Sequence, residues 1–271
     1  MKHLFAAVSL LCVFAYPMPA AYSQNTANQY FQLIEYQGIE ATRLGELDSY
    51  LEKALIPSLN KMGIKDVGAL SLETPVANKV TKGNKTIDVV QTSMFLIIPL
   101  TGPAQAATVL DALGKDESFM SAGKTYFETD IKNPVYNRMR SELSVAFDCF
   151  PKIAVPKQKL ANKERLFEMR VYESPTERMG VLKVEMFNNG EVPIFLACGI
   201  QPVFFGQVIV GDRMPNLTYM TVYDDAAQRD ECWKKFQIHP DWLELKAVEK
   251  YAGAVSKIQK INLLPRPYSQ L

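Results

Sequence analysis

The 271-residue chain is long enough for one large domain or two ordinary ones. Its apolar content of 48% and charged content of 22% exclude a disordered or collagen-like chain and allow each half to bury a core. The formal net charge of +1 leaves no excess of positive charge to bind nucleic acid or an anionic lipid surface, so neither is expected as a partner.

The N-terminal segment has the features of a secretory signal peptide. Lys2 gives a positive start, Leu4 to Tyr16 form an apolar run, and Ala21-Tyr22-Ser23 is a small-x-small cleavage site. The run is shorter than a membrane-spanning helix needs, and the two prolines after it favour cleavage over an uncleaved anchor. We expect residues 1–23 to be removed near Ser23 and the protein to be exported, either to the periplasm or as a secreted protein.

The rest of the chain contains one module twice. Phe31-Gln-Leu-Ile-Glu-Tyr36 returns as Phe167-Glu-Met-Arg-Val-Tyr172, 136 positions later (167 − 31), and the same offset relates Pro57 to Pro193. A repeat of this length is a small domain that has been duplicated and fused.

The first repeat predicts the order β-α-β-β-α followed by a final strand. Leucines at three- and four-residue spacing mark its first helix, and Gly63 stands where the C-terminal cap is expected. The predicted strands are 30–36, 67–72, 87–100 and 143–147, the first helix is 42–62, a second helix starts at Gly102-Pro103, and a polar loop occupies 78–84.

The second repeat follows the same order and adds a third helix. The predicted strands are 167–172, 203–210, 217–223 and 257–264, and the predicted helices are 177–198, 226–236 and 242–255. From the third strand on, the offset falls to 123 (227 − 104), which indicates a longer hairpin loop in the first repeat. Pro57 and Pro193 predict a kink at the same place in both first helices.

Each repeat is therefore a βαββαβ unit, the ferredoxin-like arrangement of an antiparallel sheet with helices on one face. The other face is bare and must be covered. We predict an α+β fold in which tandem ferredoxin-like repeats pack sheet to sheet as an intramolecular dimeric α/β barrel, with the helices outside. The expected divisions are 28–150 for the first repeat, 151–163 for a linker and 164–271 for the second repeat.

The second repeat resembles the NIPSNAP family. Phe167 to Tyr172 resembles the opening strand of NIPSNAP domains, Asn216 to Tyr223 with the following aromatic helix resembles their third strand and second helix, and Leu264-Pro-Arg-Pro-Tyr-Ser269 is similar to their usual ending. The resemblance implies the dimeric α/β barrel fold, which is shared with antibiotic-biosynthesis and haem-degrading monooxygenases. It implies no settled enzymatic reaction.

The first repeat departs from that pattern. Gln32 and Ile34 stand where the second repeat has Glu168 and Arg170. A function that depends on this charged pair would be retained in one half only.

Strand alternation places Glu168, Arg170 and Tyr172 on one face of a strand. We expect the apolar residues between them to meet the helices, and this polar row to point into the barrel lumen. There the pair could orient a carboxylate or carbonyl ligand. The alternative is a structural ion pair that closes one end of the barrel.

Three further side chains complete a candidate lumen pocket. Gln207 and Tyr219 lie on neighbouring predicted strands, and Tyr36 is the first-repeat counterpart of Tyr172. Aromatic walls with a few polar groups are typical of small-molecule sites. The alternative is barrel filling with satisfied hydroxyl groups.

No cofactor or metal site is expected. His239, the one histidine after the signal segment, lies in a turn before Asp241, which we predict to be a helix N-cap, so it is a weak candidate for a haem ligand. Cys149, Cys198 and Cys232 form no metal-binding pattern, and core thiols are favoured over a redox pair.

Two functions follow as hypotheses. The first is an exported binding protein that holds a small or hydrophobic ligand in the barrel, or a protein partner, without catalysis. The alternative is a cofactor-independent or haem-linked oxygenase that uses the polar groups of the lumen. Because fusion already supplies the pair of modules, a monomer and a homodimer are both compatible with the sequence.

Overall fold

The computed structural model describes residues 28–82, 84–158 and 165–271. The predicted signal peptide and part of the predicted linker lie outside the described residues. The strands are β1 (Tyr30–Glu40), β2 (Gly68–Leu72), β3 (Val76–Lys82), β4 (Lys85–Leu100), β5 (Arg138–Ala146), β6 (Leu166–Glu173), β7 (Gln201–Val210), β8 (Asn216–Tyr223) and β9 (Lys257–Pro265). The α-helices are α1 (Leu44–Tyr50), α2 (Ile56–Lys61), α3 (Pro103–Lys115), α4 (Glu117–Ala122), α5 (Lys124–Phe127), α6 (Glu177–Met186), α7 (Val192–Ala197), α8 (Ala226–Ile238) and α9 (Pro240–Lys246).

Within the described residues, eight strands form a closed antiparallel barrel. Their order is β1-β5-β7-β8-β6-β9-β2-β4, and β4 pairs with β1 to close the ring. At two places, which we call the seams, the last strand of one repeat pairs with the second strand of the other: β5 with β7, and β9 with β2. The predicted α+β fold of two tandem ferredoxin-like repeats is confirmed.

The barrel interior is filled by apolar side chains from both repeats. These side chains include Phe31, Leu70, Phe95, Ile97, Phe167, Met169, Phe204, Met220, Val222 and Leu263. The helices of each repeat cover the outer face of that repeat's own strands and form a separate apolar core there. The molecule is thus a filled barrel between two helical layers.

Both first helices contain a π-helical turn immediately before the proline. The turns are Leu51–Leu55, between α1 and α2, and Phe187–Glu191, between α6 and α7. Proline has no N–H to donate to the preceding turn, and the wider π turn accommodates that loss. The predicted irregularity at Pro57 and Pro193 therefore has the same form in both repeats. Gly63, the predicted cap, ends its helix in the left-handed region at φ 82°.

The predicted polar loop at 78–84 is wrong. β3 pairs with β4 from Val76↔Gln91 to Lys82↔Lys85, so the insertion is a β-ribbon that extends the sheet beyond the barrel. The backbone of an inserted segment needs hydrogen-bond partners, and the long β4 supplies them.

The predicted third helix of the second repeat is shorter than 242–255. It comprises α9 and then a 3₁₀ turn at Glu249–Tyr251. The N-cap of α9 is His239, and Asp241 lies inside the first turn, so the predicted cap at Asp241 is wrong. Pro240 at the first helical position accounts for the earlier start, because its fixed φ suits that position.

The three cysteines of the described residues are free thiols. Cys198 and Cys232 are buried in the core of the second repeat, as predicted for core thiols.

Closure of the barrel at the β5–β7 seam can be tested at Gly206. A Cβ atom there would lie 2.4 Å from Ser144 Oγ and 2.8 Å from Ser144 Cβ. We expect Gly206→Ala to lower the free energy of unfolding by about 1–3 kcal/mol, because the facing strand must shift. The control is Gly114→Ala in α3, where an added Cβ has no neighbour within 4 Å. That variant should be neutral or more stable by up to about 1 kcal/mol. Urea denaturation measures the free energy of unfolding of both variants. If Gly206→Ala is as stable as Gly114→Ala, the close pairing of β5 with β7 is contradicted.

Candidate ligand-binding cleft

The polar row of β6 lies under the helices of the second repeat. The Arg170 guanidinium lies 3.4 Å from the ring centre of Trp233 on α8, and its Nε donates to the Glu168 carboxylate. Arg170 Nη1 also donates to the Tyr172 hydroxyl at 3.4 Å. All three residues of the row are buried.

The predicted lumen placement of this row is therefore wrong. Met169, between Glu168 and Arg170, packs with the barrel-filling cluster, whereas Tyr172 packs with the helix-side cluster of the second repeat. An eight-stranded barrel is just wide enough for apolar side chains to fill it. Glu168 and Arg170 lie instead on the face of β6 that the helices cover. There α8 supplies the Trp233 ring beside Arg170 and a second arginine, Arg229, beside Glu168.

Tyr219 extends the row onto β8. It pairs with Arg170 across the β6–β8 ladder, and its hydroxyl lies 2.9 Å from the Tyr172 hydroxyl. Burial raises the pKa of both phenols, so both stay neutral at physiological pH. Burial alone would lower the pKa of Arg170, but its interactions with Tyr219, Tyr172 and Glu168 raise that pKa above its usual value.

Arg229 on α8 links this buried row to the surface. Its Nε lies 4.0 Å from Glu168 Oε2, and its guanidinium also donates to Asp230 at 2.8 and 2.9 Å. Glu168 is therefore held between two arginines.

A second buried ion pair lies in the same helical layer. Lys183 Nζ on α6 lies 2.6 Å from Glu191 Oε2 in the π turn, and both side chains are almost fully buried. Burial raises the pKa of Glu191, and the adjacent Lys183 opposes that shift. At the 136-residue offset the counterparts are Leu47 and Leu55. This pair was not predicted, although the alignment of the two repeats places its two charges opposite two leucines.

A cleft of about 920 Å³ opens beside this row. β2 pairs with β9 only from Leu70↔Pro265 to Leu72↔Leu263, which leaves the earlier part of β9 without a strand on that side among the described residues. Charged, aromatic and amide side chains line this opening. They include Phe95, Glu168, Arg170, Arg229, Trp233, Lys234, Lys260, Ile261 and Asn262. The indole Nε1 of Trp233 is buried and has no hydrogen-bond partner among the described residues.

The structure separates the other predicted site residues from this cleft. Tyr36 packs edge-on against Tyr136 in the helical layer of the first repeat. Gln207 pairs with Val145 at the β5–β7 seam. His239 lies at the α8–α9 junction, with Nδ1 3.9 Å from Asp241 Oδ2, and it does not line the cleft.

One end of the barrel lumen holds a smaller cavity of about 100 Å³, which we call the chamber. Its floor is apolar, and its rim carries charged and amide side chains. The floor residues are Leu33, Phe95, Met169, Val171 and Ile261, and the rim residues are Glu35, Gln37, Arg140, Glu142, Arg213 and Gln259. The rim was not predicted from the sequence, because closure of the barrel brings its residues together from distant strands.

The comparisons with known proteins agree with the fold and with the predicted resemblance. The NIPSNAP family model matches residues 167–270. No curated protein matches the sequence significantly. The segment that the NIPSNAP model matches contains the buried row, both buried ion pairs and the α8 side of the cleft.

Solved structures resemble the chain at low sequence identity. A Fusobacterium nucleatum protein, whose description as a monooxygenase is provisional, matches at TM-score 0.51 and 9% identity over 88% of this chain and 92% of that one. An uncharacterised NIPSNAP-like domain protein from Burkholderia xenovorans matches at TM-score 0.34 and 16% identity, over 38% and 87%. A NIPSNAP family protein of unknown function from Agrobacterium tumefaciens matches at TM-score 0.35 and 13% identity, over 38% and 89%. The first of these supports the barrel fold alone.

Among the described residues, no helix combines the length and the hydropathy that a transmembrane span requires.

The buried pair Lys183–Glu191 should make the fold less stable than two leucines at the same positions would. We expect the double variant Lys183→Leu/Glu191→Leu, which installs the leucines of the first repeat, to be neutral or more stable by about 1–4 kcal/mol. Glu191→Leu alone should lose about 3–5 kcal/mol, because it leaves the Lys183 ammonium buried without a partner. Chemical denaturation distinguishes the two. A double variant that is as unstable as the single one contradicts this interpretation.

Glu142 at the chamber rim should make stability depend on pH. Burial raises its pKa above the unfolded value, against the opposing effects of Arg213 and Arg140 and with a smaller contribution from Asp212. A raised folded pKa stabilises the fold only while the carboxyl is protonated, and this contribution is lost as the pH rises through the folded pKa. The stability of Glu142→Gln relative to the native chain should therefore increase as the pH rises above about 4, the usual pKa of a glutamate. Chemical denaturation at several pH values measures the difference in free energy of unfolding between the variant and the native chain. A relative stability of Glu142→Gln that falls with rising pH would contradict the prediction.

Proposed function

We propose that this chain binds a small molecule with a carboxylate group and an apolar body in the cleft, and that it does so without transforming the ligand. The observation that carries the proposal is the buried, unpartnered indole N–H of Trp233 in a cleft wall that also contains Arg170 and Arg229. A buried donor without an acceptor is uncommon in native proteins, and an acceptor on a bound ligand would satisfy it.

The charges of the cleft favour an anionic group. Its four carboxylates already have partners. Glu168 accepts from Arg170 and Asp230 accepts from Arg229. Glu73 accepts from the Asn262 amide, and Glu35 lies 3.6 Å from Arg140 Nη1. Lys234 and Lys260 line the same cleft and have no ion-pair partner among the described residues, so their ammonium groups are available to an anionic ligand.

The size and the remaining walls of the cleft suit a small organic molecule. Its volume of about 920 Å³ lies in the usual range for ligand sites. Trp233, Phe95 and Ile261 offer apolar surface, and Asn262 adds an amide. Such a mixture of a few polar groups with apolar walls orients a ligand by its head group.

Binding without catalysis is supported by the state of the acidic side chains. A general base needs a carboxylate that is free to take a proton from the substrate. Glu168 is held between Arg170 and Arg229, so both of its carboxylate oxygens already have a cationic partner. The contacts of Glu168 also hold Arg170 and Arg229 in place, where they can bind a ligand. An oxygenase acting in the same cleft is the outcome that would overturn this part of the proposal.

The first repeat supplies the variant that tests the site. Glu168→Gln/Arg170→Ile installs Gln32 and Ile34, residues that this fold already accommodates at the matched positions. We expect calorimetric binding of benzoate, phenylacetate or octanoate to the native chain to be weakened at least about tenfold in this variant, because a charged hydrogen-bonding partner is lost. The corresponding amides should bind weakly to both proteins.

The control removes the same charge elsewhere. Arg178→Ile changes an exposed residue of α6 that does not line the cleft, and it should bind like the native chain. Equal binding of acids and amides, or full affinity in the double variant, contradicts the proposed site. Oxygen consumption with a bound acid, lost in the double variant, would show an enzyme instead.

We also propose that the protein is exported. The support is the positive start, apolar run and small-x-small site that end at Ser23. Mass spectrometry of the protein recovered from its native host tests this, since an N-terminus at Gln24 is expected and a retained Met1 is the contrary result.

A further inference from the structure

The chamber at the end of the barrel is distinct in chemistry from the cleft. Its rim combines side chains from β1, β5, β9 and the β7–β8 loop, which are Glu35, Arg140, Glu142, Gln259 and Arg213. Arg213 is held in the left-handed region at φ 56°, an uncommon conformation for a residue with a long side chain. The β7–β8 loop thus contributes Arg213 to the rim of an otherwise apolar lumen.

The carboxylate of Glu142 lacks a complete set of partners. The residue is only 6% exposed, and its Oε2 has no hydrogen-bond partner among the described residues. Its Oε1 lies 3.6 Å from Arg213 Nη2 and 3.7 Å from Arg140 Nη2, which is too far for hydrogen bonds. A buried carboxylate oxygen in this state is expected to be satisfied by a group that enters the chamber.

The two arginines make their short contacts elsewhere. Arg140 donates to Asp212, and Arg213 donates to the amide oxygen of Gln259. The Nε of Arg213 is buried without a hydrogen-bond partner and lies 3.8 Å from Asp212 Oδ2. The chamber therefore presents an unsatisfied acceptor, Glu142 Oε2, and an unsatisfied cationic donor, Arg213 Nε.

The charges of the rim decide what can satisfy both groups. In the lining, two carboxylates, Glu35 and Glu142, face two guanidinium groups, Arg140 and Arg213. The exposed Asp212 pairs with both arginines from outside the lining. A simple anion or a simple cation would therefore meet as many like charges as opposite ones. A molecule that carries both charges can place its ammonium at Glu142 and its carboxylate at Arg213.

We propose that the chamber binds a small zwitterion of the α-amino acid type. Its ammonium donates to Glu142 Oε2, its carboxylate accepts from Arg213, and its side chain contacts the apolar floor at Leu33 and Met169. The volume of about 100 Å³ restricts the ligand to the size of glycine or alanine. The binding residues Glu142 and Arg213 do not line the cleft, so this proposal does not rest on the proposed function.

The chamber can be reached through the cleft. Both cavities are lined by Glu35, Phe95, Gln259 and Ile261, which places them side by side. A small ligand can therefore enter without opening the barrel.

Ligand-observed NMR titration of the full-length protein tests the proposal. Glycine and L-alanine should bind saturably, whereas propionate and ethylamine, each with one of the two charges, should bind at least about tenfold more weakly. Glu142→Gln and Arg213→Met should each weaken alanine binding at least about tenfold. Circular dichroism confirms that both variants fold, and the nearly isosteric Glu142→Gln remains the test should Arg213→Met fail to fold.

Two controls separate this site from the cleft and from non-specific binding. Arg178→Ile and the cleft variant Glu168→Gln/Arg170→Ile should both retain alanine binding. The absence of saturable alanine binding to the native chain would overturn the proposal and leave the chamber to water. Equal binding of propionate or ethylamine, or undiminished binding in Glu142→Gln, would also overturn it.

Discussion

Mutual coverage of two bare sheet faces is the constraint on which the rest of this structure depends. Each βαββαβ repeat places its helices on one side of its sheet, and the two seams bring the uncovered sides together around one lumen. That lumen is narrow and apolar. Charged side chains on the strands are therefore accommodated under the helices or at the open end of the barrel. The cleft and the chamber correspond to these two positions.

The fold was predictable because the chain repeats itself, and a feature present twice is strong support for a shared scaffold. The matched prolines, for example, both follow a π turn. The side on which Glu168 and Arg170 lie was not predictable, since alternation shows only that they share a face. The partners of Glu142 were not predictable either, because they depend on strand pairings between the two repeats.

The comparison of the two repeats separates scaffold from specialisation. The first repeat builds the same helix and strand with Ile34, Leu47 and Leu55, where the second uses Arg170, Lys183 and Glu191. Apolar side chains suffice for the fold at these positions, and buried ion pairs contribute little stability by comparison. Of these three charged residues only Arg170 lines the cleft, and we propose that its charge serves the ligand there. The match of the NIPSNAP model to this repeat is consistent with that division.

The central claim is that ligands bind on the helix-covered side of the second repeat and not in the middle of the lumen. The chain has two tryptophans, Trp233 in the cleft wall and Trp242 in α9, so 5-fluorotryptophan labelling yields one ¹⁹F resonance at each position. Titration with benzoate, phenylacetate or octanoate should shift the Trp233 resonance saturably and leave Trp242 nearly unchanged. A saturable shift at Trp242 alone, or no shift at Trp233 for any of these acids, would contradict the claim.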